Sequence, residues 1–352
     1  MKNFLAKSVH KIRCILYGID YNISHNKQKA NSGADKMILS AYTLSYGNWT
    51  VIPDHWKMTF DDMKSNGFDA VDLTFSESEK RYSMRTFEMQ IKLAHRSGLK
   101  VFVIPSRIGG RFAGAPFMSG FWLAEHPQCQ VPEDPKTACL ESAEYLEWSS
   151  QFIGDLVRTF EVDGVIWDEP KAVALVSHHP ETIAKFGPEP APENMMDSAL
   201  EYLKGLTALV KSIRPSLSVT VFNMPTLATT PEYFTSRCPR IPGVDFCGFD
   251  GSCSMMSYFH EEPRKVKATV RERWPRICRE TAGTSCGTFA LIENILLPRA
   301  AHVEFERELE LTLQEVSPDH LACYYWGHNN EDPAEAQEIT MRQIRKLHRK
   351  NS

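Results

Sequence analysis

Apolar residues along the chain follow two alternating rhythms. The first is a run of about six to eight β-branched, aromatic and aliphatic residues bounded by Gly, Pro, Asn or Asp, the pattern of a strand covered on both faces. It recurs eight times, at 37–44 (MILSAYTL), 68–75 (FDAVDLTF), 100–105 (KVFVIP), 162–167 (VDGVIW), 216–223 (SLSVTVFN), 244–250 (VDFCGFD), 287–293 (GTFALIE) and 320–326 (HLACYYW). The second is the 3.6-residue spacing of amphipathic helices, which predicts helices at 60–65, 84–96, 138–160, 194–213, 262–273, 303–315 and 334–347. The link after the fifth run carries little helical signal, so a short turn is expected there.

Strand and helix in strict alternation imply right-handed crossovers and a parallel sheet. Eight such units over 37–352 predict an α/β fold, a (β/α)8 TIM barrel with insertions beyond the ~250 residues typical of that architecture. An open doubly wound sheet is the competing arrangement. It lacks the Gly-rich phosphate fingerprint after its first strand, where the chain reads SAYTLSYGNW. Gly or Pro punctuates the entry to several runs (SNGFDAV, RSGLKVF, IRPSLSV, VSPDHLA), so the links at one end of the barrel are short. Segments following the runs are longer, above all 106–136 with RIGGRFAGAPFMSGFWLAEHP, an extended third βα loop.

Residues 37–352 therefore read as a single domain and 1–36 as an N-terminal extension. The extension carries apolar Phe4, Leu5, Val9, Ile12 and Leu16 at roughly helical spacing, then an Asn, Lys and Ser-rich linker over 21–36. Such a segment is expected to be poorly ordered and dispensable.

Composition narrows the function classes. With 352 residues, 42% of them apolar, a sizeable core can form, and a formal charge of -4 gives no basic field for nucleic acid. A small or uncharged ligand is the easier expectation. No apolar stretch approaches the length of a membrane span. Nine cysteines, odd in number and without a Cys-x-x-Cys pair, point to a reducing compartment and hence to the cytoplasm. Oligomeric state is left open.

In a barrel the strand tips converge on one mouth. The tips supply Tyr42 and Ser45; Asp72, Thr74 and Glu77; Arg107; Trp167, Asp168, Glu169 and Lys171; Asn223; Asp250; Glu293 and Asn294; and Tyr325, Trp326, His328 and Asn329. Period-two alternation sets Asp72 and Thr74 on one face against Val71, Leu73 and Phe75, and Gly248 and Asp250 on one face with Phe246. Asp72 thus points inward, either into a salt bridge with Arg107 or toward a ligand. Paired carboxylates with aromatic platforms and amide donors are what cleavage of a glycosidic bond requires, and such chemistry needs no cofactor. A metal-hydrolase His-x-His and a His-Glu-x-x-His helix are missing, and there is no nucleophile elbow, since the one Gly-x-Ser-x-Gly stretch, GTSCG at 283–287, enters an apolar run instead of leaving one. SHHPET at 177–182 reads as a surface turn. Trp148 and Trp274 sit in helical patterns, whereas Trp122, with Phe112, Phe117 and Phe121 in the third loop, is a candidate lid or aglycone wall.

WDEP at 167–170 resembles the Asn-Glu-Pro signature on the fourth strand of clan A glycoside hydrolases, LIENI at 291–295 is similar to the seventh-strand segment of that clan, and YYWGHNNED resembles its eighth-strand aromatic segment. The resemblance implies Glu169 as acid/base, Glu293 as nucleophile and Trp326 as sugar platform. Asp168 stands where the clan has Asn and adds a charge beside the acid. DGVIWDEP is also similar to the fourth-strand segment of retaining α-glycosidases, which implies Asp168 as nucleophile and Asp250 as acid. The remaining tip residues, Tyr42, Asp72, Arg107, Trp167, Lys171, Asn223, Asn294, Tyr325, His328 and Asn329, are candidates for carbohydrate binding. Two alternatives stand beside this reading. One is a sugar isomerase or aldolase holding Mg²⁺ or Mn²⁺ with Asp168, Glu169, Asp250 and His328, and the other is a barrel that binds carbohydrate without turnover.

Overall fold

The computed structural model describes residues 10–13, 20–23, 37–43, 52–105, 109–112, 115–170, 173–223, 232–253, 256–259, 262–265, 269–327 and 329–351. Eight parallel strands close into a barrel: β1 (Ile38–Tyr42), β2 (Ala70–Phe75), β3 (Lys100–Pro105), β4 (Gly164–Asp168), β5 (Ser218–Asn223), β6 (Phe246–Ser252), β7 (Gly287–Glu293) and β8 (His320–Tyr324). Each pairs with its sequence neighbours, and β8 returns to β1 with Tyr324 opposite Tyr42. The sequence predicts this fold, and the eight runs coincide with the eight strands.

Alternation divides each strand between two cores. Tyr42, Phe102, Ile166, Phe222, Phe289, Leu291 and Tyr324 fill the barrel interior. Their neighbours, such as Val103, Val165, Val221, Ala290, Ile292 and Cys323, form a larger core against the helices. Six of the cysteines (129, 238, 247, 253, 286 and 323) pack in this outer core as small apolar side chains. Gly248 is needed for strand closure, because a β-carbon there would collide with the Phe289 backbone on β7.

The helices are α1 (Pro53–Ser65), α2 (Glu77–Tyr82), α3 (Met84–Arg96), α4 (Phe121–Glu125), α5 (Ala143–Thr159), α6 (Pro180–Phe186), α7 (Pro192–Ile213), α8 (Glu232–Thr235), α9 (Val270–Thr281), α10 (His302–Glu315) and α11 (Pro333–Asn351). On α3, Phe87, Gln90, Ile91 and Ala94 lie on one buried stripe, the i, i+3, i+4, i+7 pattern that presses a helix onto a sheet. The poor helical signal after β5 corresponds to α8, a single turn. The helix expected at 262–273 is displaced. Residues Glu262–Lys265 pair with Met256–Phe259 as a hairpin, and α9 starts at Val270, where Thr269 and Glu272 form a reciprocal cap. The third βα loop holds two small hairpins, Arg111–Phe112 with Ala115–Ser119 and Gln130–Val131 with Asp134–Ala138, flanking α4. In the N-terminal extension His10–Arg13 pairs with Asp20–Ile23 antiparallel, in place of the helical spacing read there. Among the described residues no helix is long and apolar enough to cross a membrane.

Candidate active site

Alternation carries Asp168, Asp250 and Glu293 onto the inward face, following Ile166 on β4, Phe246 on β6, and Phe289 and Leu291 on β7. Glu169 breaks the pattern. One residue past inward Asp168 it should face the helices, yet its backbone is twisted into the left-handed region at φ 32°, an unfavourable conformation for a side chain other than Gly. Among the described residues only Glu169, Leu296 and Asn329 are non-glycines with such a backbone, and they follow β4, β7 and β8 respectively. Among the described residues, positive-φ backbone at non-glycines is thus confined to the loops that follow the strands carrying the candidate acids and aromatics.

Tyr324 brings these acids together. It follows His320 and Ala322 on the inward face of β8, and its hydroxyl holds its proton well above the ordinary phenol range. Burial is the main cause, followed by the charges of Glu293, Asp250, Asp168 and Glu169. All four candidate carboxylates therefore act on one phenol. Beside it Tyr42 lies with its ring 4.8 Å from that of Tyr324 and donates its hydroxyl to Asp168 Oδ2 at 3.3 Å. The Phe222 ring meets Tyr42 edge-on at 6.2 Å, so three aromatic rings floor the mouth. Asp168, Glu169 and Asp250 are buried, whereas Trp326 on the eighth-strand exit is 48% exposed, as a platform open to solvent would be.

Other candidates fall elsewhere. Trp167 projects outward into the helix-side core, where its indole N–H donates to Thr207 Oγ1 of α7 at 3.1 Å, which removes it from the mouth. Tyr325 also points outward: its hydroxyl donates to Asp62 of α1 and its ring packs edge-on against Phe68 at 6.4 Å. The inward tyrosine of the pair is Tyr324, which the sequence reading passed over although it shares parity with His320. Asn294 is a brace, its amide donating to the Tyr324 carbonyl at 3.2 Å and to Thr340 Oγ1 of α11 at 3.0 Å. Gly327 permits this contact, since a β-carbon there would strike the Asn294 carbonyl. Asn223 is buried at the end of β5, and no described residue hydrogen-bonds its amide. Asn329 is exposed in its turn. Arg107, Lys171 and His328 lie outside the described residues.

Asp72 does point into the barrel, but its described partner is a hydroxyl. Ser40 Oγ donates to Asp72 Oδ2 at 2.7 Å and meets His320 Nε2 at 2.8 Å. Burial pushes the Asp72 carboxyl up to about 8 and the His320 imidazole down to about 3. The rings of Phe102, Phe246 and Phe289 surround His320 at 5.0–5.4 Å, so this polar chain is enclosed in the barrel interior.

One group of metal-ligating type occurs among the described residues, with ligand atoms of Cys139, His179 and Glu181 within 4.8 Å of one another. His179 is already committed: Nδ1 accepts the Glu181 backbone N–H at 3.2 Å, and Nε2 donates to the Gln128 carbonyl at 2.7 Å. Burial raises the Cys139 thiol to about 11. The arrangement is the N-terminal cap of α6, and His178 beside it meets Glu133 at the surface. Trp122 stacks on His126 at 3.9 Å and on Trp148 of α5 at 4.8 Å, which ties the third loop to the barrel's helix layer.

No protein-family model and no curated protein matches the chain. Solved structures do match. The β-galactosidase from Rahnella sp. R3 superposes with a TM-score of 0.60 at 14% identity over 90% of this chain and 57% of its own. The endo-1,4-β-mannanase from Rhizomucor miehei gives 0.61 at 12% identity over 91% of this chain and 97% of its own. The catalytic domain of the β-amylase from Paenibacillus polymyxa gives 0.61 at 9% identity over 89% and 99%. The chain resembles glycoside hydrolase TIM barrels. At such identities the likeness is one of fold. It spans 57% and 60% of the β-galactosidases from Rahnella sp. R3 and Marinomonas ef1.

Proposed function

We propose that the chain hydrolyses a glycosidic bond in a carbohydrate or glycoside, with Glu169 as acid/base and Glu293 as nucleophile. The observation that carries this reading is that Asp168, Asp250 and Glu293 fall on the inward face at the strand tips, and that their charges and that of Glu169 all raise the buried Tyr324 phenol. In the reaction, protonated Glu169 gives its proton to the glycosidic oxygen as the bond to the anomeric carbon breaks, and the Glu293 carboxylate attacks that carbon. Water then releases the sugar, with Glu169 taking the proton back. Asp168 alongside favours the protonated form of Glu169, because adjacent carboxylates resist ionising together. The strained backbone at Glu169 supports the assignment, as such conformations persist where surrounding structure and function demand them.

The hydroxyl of Tyr42 on Asp168 and the inward position of Asp250 favour a second assignment, with Asp168 as nucleophile and Asp250 as acid. Single variants assayed on aryl glycosides separate the two. If Glu169 and Glu293 act, Glu293→Gln loses at least about 10³-fold in kcat with every leaving group. Glu169→Gln then loses about 10²- to 10⁴-fold with a poor leaving group and much less with an activated one. If Asp168 is the nucleophile, Asp168→Asn abolishes turnover and Glu293→Gln is mild. Near-normal activity in every single acid variant would falsify the enzyme reading and leave carbohydrate binding.

A further inference from the structure

We propose that Glu77, at the start of α2 after β2, is a positioning residue whose carboxyl clasps the start of α4 and so fixes the third βα loop, and that loss of its proton loosens this clasp. Glu77 Oε2 accepts the Trp122 backbone N–H at 2.6 Å, a contact between the second and third βα loops. The side chain is 7% exposed, and among the described residues no hydrogen-bond partner reaches Oε1. Oε1 lies against Gly120, the residue preceding α4, where a β-carbon would collide with it. Around this clasp α2 and α4 make three more contacts. Arg81 bonds Glu125 at 3.2 Å and lies 4.6 Å over the Phe121 ring, and Tyr82 meets Phe121 edge-on at 6.2 Å.

A buried carboxylate with one oxygen unsatisfied is costly, and a neutral carboxyl in the same place costs much less. The charged and titratable groups facing Glu77 do not remove that cost. Arg81 and Lys80 on its own helix favour the anion, but Arg81 is bonded to Glu125 and Lys80 lies 3.7 Å from Asp155 of α5. Glu125 of α4 opposes the anion, and the Tyr145 hydroxyl of α5 feels its charge. Burial outweighs the Trp122 hydrogen bond and raises the carboxyl to about 7. When α4 swings off, Glu77 meets water and returns toward the ordinary value of 4.5. The clasped form therefore binds the proton more tightly, and its population relative to the released form falls about tenfold per pH unit between roughly 4.5 and 7.

The indole of Trp122 reports the clasp. In protein labelled with 5-fluorotryptophan, with the Trp122 resonance assigned through Trp122→Phe, the ¹⁹F signal should titrate between about pH 4.5 and 7.5 with a midpoint below 7. Glu77→Gln, which keeps shape without charge, should hold the acid-side signal throughout. Gly120→Ala, which drives a methyl into Oε1, should give the alkaline-side signal throughout. A titration that persists in Glu77→Gln, or that disappears in His126→Gln, the other titratable ring against Trp122, overturns the proposal. Its effect on catalysis rests on the glycosidase reading: KM should rise with pH across the same window in wild type but not in Glu77→Gln. If no glycoside is turned over, that reading fails and the ¹⁹F titration still decides the clasp.

Discussion

Ser40 links two buried groups whose protonation is displaced in opposite directions, and this gives the barrel interior a defined dependence on pH. Folded Asp72 keeps its proton up to about 8, while an unfolded chain releases it near 3.8, so this residue lowers stability as pH rises through that window. His320 stays neutral down to about 3 where the unfolded chain takes a proton near 6.5, so it lowers stability as pH falls between those values. The slopes oppose each other from about 4 to 6.5. From 6.5 to 8 only the Asp72 effect remains, at most about 1.4 kcal/mol per pH unit. Urea denaturation should show stability falling across that interval in wild type and a flatter profile in Asp72→Asn, whose amide accepts the Ser40 hydrogen bond without charging. An unchanged fall in the variant would assign the effect to another group. Two tryptophans separate binding from stability in the same way. On the glycosidase reading a sugar should quench tryptophan fluorescence without response to EDTA, and Trp326→Ala should abolish that quench with little change in stability, because the residue is half exposed. Trp167→Phe should lose about 1–3 kcal/mol of stability and keep the quench, since it gives up the Thr207 hydrogen bond and packing in the outer core.

At the scale of elements, the barrel was legible because strands covered on both faces become continuous apolar runs, and Gly or Pro marks the turns between them. Which acids face inward was legible too: Phe246, Gly248 and Asp250 alternate as the pleat requires. Three features were hidden for physical reasons. On β8 every residue after His320 is apolar or aromatic, so LACYY offers no polar contrast to say which tyrosine enters the barrel, and only counting from His320 selects Tyr324. The aim of Glu169 depends on a single backbone dihedral, which no periodicity records. Trp167 owes its position to strand parity and to Thr207, a partner 40 residues away, while the acids next to it in WDEP made it resemble a mouth residue. At 262–273 amphipathic spacing suggested a helix, but the local signal that won was the Thr269–Glu272 cap seven residues later. Extended loops carry the least periodicity, which is why Glu77 was visible as an acid at a strand tip while its contact with Trp122 was not.

For the whole molecule, the ends of the barrel divide the labour. The C-terminal end holds the acids, the strained backbone and the third loop. Near the opposite end a cavity of about 390 Å³ opens between α10, α11 and Met37, the residue before β1, with Leu313, Val316, Leu321 and Leu347 in its lining. In TIM barrels the first end serves chemistry and the second serves stability. Substitutions at the two ends should therefore add independently, since they share no partners. The N-terminal extension provides the sharpest test of where the domain begins. If residues 37–352 are the cooperative unit, deleting 1–35 removes a polar linker and a two-stranded hairpin, which by itself is at best marginally stable. The thermal midpoint should then move by less than about 2 °C, which for a chain of this size corresponds to roughly 1 kcal/mol or less. On the glycosidase reading, sugar binding at the mouth should be unchanged. A much larger drop would mean that apolar residues of the extension cover barrel surface, and the cavity beside Met37 is where that surface lies. Restoring the lost midpoint with a large apolar residue at Ser317, which lines the same cavity, would identify filling of that space as the cause.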